Sequence, residues 1–347
     1  MPHTFSTTAP PVQSIKLRPL TIGSVSIGFP VVQAALSGYS DWAMRTVARR
    51  LGAPFAACEV MLDQFLLQVR QRARTRHFLY LDDEDRPVGG QLMGAEPAQF
   101  ARGARRLVEA GFDVIDINFG CPVKKVLGRC RGGFHLSQPE VALDIARRTR
   151  AAVPAKIPVT VKMRRGMDLS AASEDNFYTI LQGVFESGID AVTVHGRTVK
   201  QRYEGPSDWQ FLAAVKRRFP RRVILGSGDL FSAADCLRMI RETGVDGVAV
   251  ARGAIGNPWI FQQARQLAAG GVPVAPGLRE QARVMRLHFE LAQRLYGPDR
   301  CGPLMRKFGI KYAQQHPQSA RVRDAFVRVR NQTDWFQVLD QWYLYET

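Results

Sequence analysis

The chain has 347 residues, 46% of them hydrophobic, and a formal net charge of +17, a size that carries one large domain with a small one, or two medium ones. No run of about 18 unbroken apolar residues exists, which argues against a membrane span, and the opening M-P-H-T-F-S-T-T-A-P-P lacks the regions of a secretory signal. Five scattered cysteines, Cys58, Cys121, Cys130, Cys236 and Cys301, show no C-x-x-C pair, so neither a disulfide framework nor a zinc pattern is present and a cytoplasmic protein with reduced thiols is expected.

Residues 1–16 read as a disordered lead. L-R-P-L-T-I-G-S-V-S-I-G-F at 17–29 alternates around Gly23 and predicts a hairpin, placed as a plug under a barrel floor. Short apolar or β-branched runs follow at 31–35, 55–59, 88–92, 114–118, 159–163, 191–195, 223–226 and 247–251. Between them, segments such as 97–110 and 139–153 carry apolar residues at helical spacing. Eight strands alternating with helices predict an α/β fold, a (β/α)8 TIM barrel over residues 17–272. A doubly wound sheet is the poorer choice, because no G-x-G-x-x-G fingerprint is present. G-G-V-P-V-A-P at 270–276 reads as a linker, and residues 277–347 as an all-α domain. Between residues 279 and 330 there are twelve Lys or Arg and four Asp or Glu. A solvated helix face mixes signs more evenly, so this appendage and the overall pI near 10.2 point to a polyanionic partner. Nucleic acid is favoured, since cations that neutralise phosphates release counterions. A GC-rich genome writing arginine wherever charge is tolerated is the competing explanation.

Barrel chemistry lies at the C-terminal strand ends. Here these ends read Ala35-Leu36-Ser37, Glu59, Gln91, Asn118 with Cys121, Lys162 with Arg164, His195 with Arg197, Ser227-Gly228-Asp229 and Ala251-Arg252-Gly253. The two last loops stand where barrels commonly bind phosphate, with glycines for close backbone approach. Lys162, in V-T-V-K-M, is hard to bury without a negative partner. Together these predict a phosphorylated cofactor.

G-C-P-V-K-K-V at 120–126, V-T-V-K-M-R at 159–164, V-H-G-R-T at 194–198 and the S-G-D and A-R-G loops resemble those of tRNA-dihydrouridine synthases, most of all the bacterial B-type branch. The resemblance runs over nearly the whole chain. It implies an FMN-containing barrel with a helical tRNA-binding domain that reduces uridine in tRNA to dihydrouridine, with NADPH as electron source. By position it implies that Cys121 is the proton donor. Ala35, Leu36 and Ser37 would line the flavin, with Gln91, Lys162 and His195 contacting it. Ser227, Gly228 and Asp229 would form its phosphate loop together with Ala251 and Arg252. Departures stand at Ala35-Leu36 (usually Pro-Met), Ser227 (Asn), Ala251 (Gly) and the segment 131–136, where Phe134 is expected to reshape the base pocket. Cys130 is expected to be a buried, inert thiol.

The cations expected on RNA phosphates are Lys124, Lys125, Arg321, Arg323, Arg328 and Arg330, with Lys124 and Lys125 either pointing away from the Cys121 sulfur or neutralised by an RNA phosphate. The protein is expected to act as a monomer. Two other functions fit parts of the pattern. An FMN barrel acting on a free pyrimidine would share the loops but has no use for the basic appendage. A non-catalytic RNA-binding protein on a decayed barrel would explain the charge but not Cys121, Lys162 and His195.

Overall fold

A computed structural model describes residue 14, residues 16–69 and residues 75–344 of the chain. The lead expected over 1–16 lies outside them, apart from residues 14 and 16.

The hairpin forms from β1 (Leu20–Ile22) and β2 (Val25–Gly28), antiparallel around Gly23. Leu20, Ile22 and Ile27 pack on Val32, Ala34, Phe55, Val114, Ala191, Leu225 and Ala249, the inward residues of the barrel strands, so the hairpin closes the barrel interior. The strands are β3 (Val31–Gln33), β4 (Ala56–Ala57), β5 (Met61–Leu62), β6 (Val88–Met93), β7 (Val114–Phe119), β8 (Val159–Arg164), β9 (Ala191–His195), β10 (Val223–Ser227) and β11 (Gly247–Val250). All pairings among them are parallel. β11 pairs with β3 and β4 pairs with β6, which closes the ring. The second expected strand, 55–59, is the one that differs. It breaks into β4 and β5, both paired to β6. Between them Glu59 leaves the ladder to accept the Gly38 N–H at 2.6 Å.

Helices wrap the ring, among them Pro97–Ala110 and Pro139–Ala152, each with proline in its first turn, where a missing N–H costs nothing. The first ends on Gly111 at φ 94°, a left-handed cap. Residues 271–277 carry no regular structure. Beyond them come helices Leu278–Tyr296, Pro298–Tyr312, Ser319–Val327 and Gln332–Leu339. Phe289, Phe308, Phe326 and Trp335 of this region belong to one continuous buried cluster with the outer layer of the barrel. Polar ties reach the first βα loop: the Tyr296 hydroxyl donates to Asp41 at 2.8 Å, and Lys307 donates to the Gly38 carbonyl. The C-terminal helices therefore sit beside the barrel mouth. Among the described residues no helix is long and apolar enough to cross a membrane.

Candidate active site

Side chains alternate along a strand, so Val114, Asp116 and Asn118 of β7 share one face, as do Thr160, Lys162 and Arg164 of β8. Ladder register sets Gln91 beside Asp116, Asp116 beside Thr160, Asn118 beside Lys162, Arg164 beside His195 and His195 beside Ser227. Polar residues from five strands thus converge at the C-terminal end of the ring. Gln91, Asn118, Lys162, Arg164, His195 and Ser227 among them line a cavity of about 730 Å³. Ala35, Leu36, Ser37, Gln91, Cys121, Lys162, His195, Ser227, Gly228, Asp229, Ala251 and Arg252, all anticipated from the sequence, reach its wall.

The wall from β6 to β8 is a hydrogen-bonded chain. Thr160 Oγ1 and Gln91 Nε2 each donate to the Asp116 carboxylate at 2.6 Å. Asn118 Nδ2 donates to Gln91 Oε1 at 2.8 Å, and Asn118 Oδ1 accepts the Gly120 and Cys121 N–H groups at 3.0 Å. An acceptor-only carboxylate at the root orients every amide above it. The chain ends on the backbone of the cysteine.

Cys121 is partly buried, and Gly133 N donates to its carbonyl at 3.1 Å. Gly132, at φ 60°, lies so close that an added Cβ would stand 2.8 Å from the Cys121 Cβ. Burial pushes the thiol above its ordinary range, while the Val123 N–H and the Arg164 charge pull the other way. Lys124 and Lys125 are exposed and are not among the groups acting on the thiol. Two sequence expectations fail in this loop. Cys130 is exposed, not buried, because a left-handed residue at φ 53° turns the chain outward there. Phe134 is absent from this cavity and lines a separate cleft with Glu96 and Gln138. His135 packs under the loop, its ring centre 5.2 Å from that of Phe119.

The opposite wall is cationic. Lys162 makes no hydrogen bond or ion pair among the described residues, and burial, then Arg164, lower it to about 8 against the pull of Asp116. His195 Nδ1 accepts the Arg197 N–H at 3.1 Å, which leaves the proton of the neutral ring on Nε2. Burial, then Lys162 and the arginines, hold His195 down at about 2. Ser227, expected to hydrogen-bond a phosphate, spends its hydroxyl on the Ala249 carbonyl at 3.0 Å. Asp229, at φ 55°, accepts Arg197 Nη2 at 2.7 Å and the Ser207 N–H at 2.7 Å, so its carboxylate orders this loop. An added Cβ on Gly228 would collide with the Ser207 hydroxyl, and one on Gly253 with the Leu230 carbonyl. These glycines are fixed by the protein's own packing. Arg252 is 41% exposed with Nη2 3.9 Å from Asp229.

Sequence reasoning missed Asp116, Tyr203, Lys311, Gln314 and Gln315. The last three reach the cavity from the end of helix Pro298–Tyr312 and the turn after it, a placement no local pattern signals. Arg321, Arg323, Arg328 and Arg330 are all exposed, outside Val322, Phe326 and Val329, which are buried.

The architecture is similar to that of histamine dehydrogenase from a Rhizobium species, at a TM-score of 0.58 and 12% identity over 79% of this chain and 50% of that one. It is similar too to a 2-naphthoyl-CoA reductase, at a TM-score of 0.58 and 11% identity over 72% of this chain and 52% of that one. The chain spans about half the length of either, and the likeness is one of fold. Sequence relatives align over far more of their length. They include a tRNA-dihydrouridine synthase B of Xanthomonas axonopodis pv. citri, 35% identical over 88% of this chain and 90% of that one. A probable tRNA-dihydrouridine synthase of Rickettsia conorii is 33% identical over 88% of this chain and 91% of its own length, and one of Mycobacterium tuberculosis is 32% identical over 93% and 84%. Residues 32–346 match the family model described as dihydrouridine synthase, and the chain belongs to the dihydrouridine synthase family.

Proposed function

We propose that the protein reduces the 5,6-double bond of uridines in tRNA to dihydrouridine, with FMN held in the barrel mouth and NADPH as electron source. The observation that carries this reading is a partly buried thiol on one wall of a cavity whose other wall offers a partly buried lysine without a hydrogen-bond partner among the described residues. The donor set fits a flavin mononucleotide. Lys162 has a charge to offer, His195 keeps a donor at Nε2, and Gln91 with Asn118 presents amides fixed in one orientation. Arg252 stands at the rim, where its guanidinium can meet a phosphate, and Gly228, Ala251 and Gly253 offer backbone. Bound reduced FMN supplies the hydride for uracil C6.

The rest falls to the chain. Cys121 holds a proton at Sγ because burial raises its pKa. As the electron pair develops at C5, the S–H bond breaks and the C5–H bond forms. The resulting thiolate is stabilised by Arg164, the charge that already draws the thiol pKa down, and solvent returns the proton. One hydride and one proton account for the product.

The helical region over 277–347 is assigned the task of gripping tRNA, since extruding a uridine costs a few kcal/mol that must come from binding elsewhere. Its approach to the barrel mouth and its exposed arginines support this. Two measurements test the reading. The purified protein should be yellow and should form dihydrouridine in unmodified tRNA given NADPH; colourless protein that ignores added FMN defeats the proposal. Replacing Arg321, Arg323, Arg328 and Arg330 with alanine should lower the slope of log affinity against log salt by about one unit for each phosphate no longer neutralised. An unchanged slope places the RNA on another face.

A further inference from the structure

Two large rings lining the cavity are half exposed: Tyr203 at 55% and Phe231 at 51%. Single exposed apolar side chains need no explanation, but these two alternate with arginines. The Arg164 guanidinium carbon lies 5.6 Å from the Tyr203 ring centre. That of Arg252 lies 4.3 Å from Tyr203 and 5.3 Å from Phe231. The order along the cavity lip is therefore Arg164, Tyr203, Arg252, Phe231, running from the end of β8 to the loop after β10.

The ladder is anchored at both ends. Arg164 donates to the carbonyls of Gly120 at 3.0 Å, Thr198 at 2.9 Å and Arg202 at 2.7 Å. At the other end the Phe231 N–H donates to Asp235 at 3.3 Å, and Ser232 with Asp235 forms a capping box on helix Ala233–Thr243. That holds the Phe231 backbone at the lip and leaves its ring flanked by Arg252 and open to solvent. None of the described elements covers it.

We propose that Phe231 is a stacking platform for an RNA base adjacent to the uridine that enters the cavity. This rests on the tRNA reading above and adds a site to it. A uridine drawn out of a folded RNA takes its neighbours' stacking with it. An aromatic face at the lip restores a stack to one neighbour, and the half-exposed Arg252 beside it adds the positive charge that single-stranded nucleic acid takes together with a stacking platform. The occupant follows from charge and continuity: a chain with net charge +17 presents this ring on the rim of the cavity that would receive the target base.

The test uses the full-length protein with FMN bound and an unmodified tRNA transcript. Phe231→Ala should weaken transcript binding roughly 5- to 100-fold, the usual worth of one base stacked on an aromatic ring. The salt slope should stay as in the wild type, because no charge is removed. Phe231→Trp should restore binding and Phe231→Leu should not, which separates stacking from simple apolar contact. In stopped-flow experiments the loss should fall on reoxidation of the flavin by tRNA. Wild-type affinity in Phe231→Ala, or rescue by leucine, overturns the proposal. So does a loss confined to flavin reduction by NADPH, which would make the ring a dinucleotide contact. Wild-type protein that binds no transcript at any salt overturns the tRNA reading itself, and this inference with it.

Discussion

The two walls of the cavity solve opposite problems. On the β6–β8 side, polar groups satisfy one another: Thr160 and Gln91 on Asp116, Asn118 on Gln91, the cysteine loop on Asn118. On the β8–β11 side, Lys162 has no hydrogen-bond partner among the described residues and His195 keeps a free donor. A satisfied network fixes geometry, whereas donors that face the cavity without a protein partner are free to meet a ligand. On the proposed reading the first wall aims a thiol and the second receives an anionic or carbonyl-rich cofactor.

The largest way to break this comparison is Cys121→Ala. It should keep the fold, the yellow colour and tRNA affinity, because a loop thiol contributes little packing. Flavin reduction by NADPH should persist, while dihydrouridine formation falls roughly 10²–10⁴-fold, the worth of a positioned general acid. Rapid single-turnover reoxidation by tRNA in this variant would show that the proton comes from elsewhere.

Asp116 tests whether the first wall acts through positioning. Asp116→Leu leaves Gln91 and Thr160 without their acceptor and should cost about 1–3 kcal/mol of stability. It should also cost about 10²-fold in kcat, as the amides above lose their orientation. Asp116→Asn can still accept from Gln91 while donating to Thr160, so it should recover most of both. Equal loss in the two variants would mean that the charge beside Lys162, not the chain, is what matters.

Much of this plan is legible in the sequence, and the gaps have physical reasons. Strand positions follow from runs such as V-I-D-I-N and V-T-V-K-M, and the ring follows from their alternation with helices. Asp116 escapes a reading of strand ends, although period two puts it on the same face as Asn118; an acid in the middle of a buried run is the available signal. Cys130 lies nine residues from Cys121 in the chain, yet its exposure depends on one left-handed turn that no pattern announces. Lys311, Gln314 and Gln315 are brought in by helix packing around Tyr296 and Lys307, a tertiary fact. The motif around Asp229 suggests a cofactor ligand, and only the structure shows Arg197 and Ser207 occupying its carboxylate.

On the second wall, Lys162 supplies a pH-dependent test. Its pKa is lowered from 10.5 to about 8, so within that window the unfolded chain holds a proton that the folded, cofactor-free chain has released. Stability of the cofactor-free protein should therefore rise as pH increases through the window, and Lys162→Met should abolish that part of the slope. FMN affinity should run the other way, weakening above about pH 8 as the positive charge is lost. Thermal melts of both proteins, with FMN titrations on either side of that pH, check the two signs. Parallel curves for wild type and variant would mean that the amine keeps its proton throughout.

The smallest effect concerns the two neighbouring thiols. Cys130 is exposed and Cys121 partly buried with its pKa raised. A thiolate is the reactive form, so iodoacetamide should label Cys130 first, and labelling of Cys121 should need higher pH. Cys130→Ala should leave dihydrouridine formation close to wild type, since its side chain lies outside the cavity that Cys121 lines. The pair separates proximity in sequence from proximity in chemistry. Mass-spectrometric labelling rates for both thiols, read beside the activity of the two alanine variants, give a direct answer. Faster labelling of Cys121 would contradict a thiol kept protonated by burial, and with it the assignment of Cys121 as the acid.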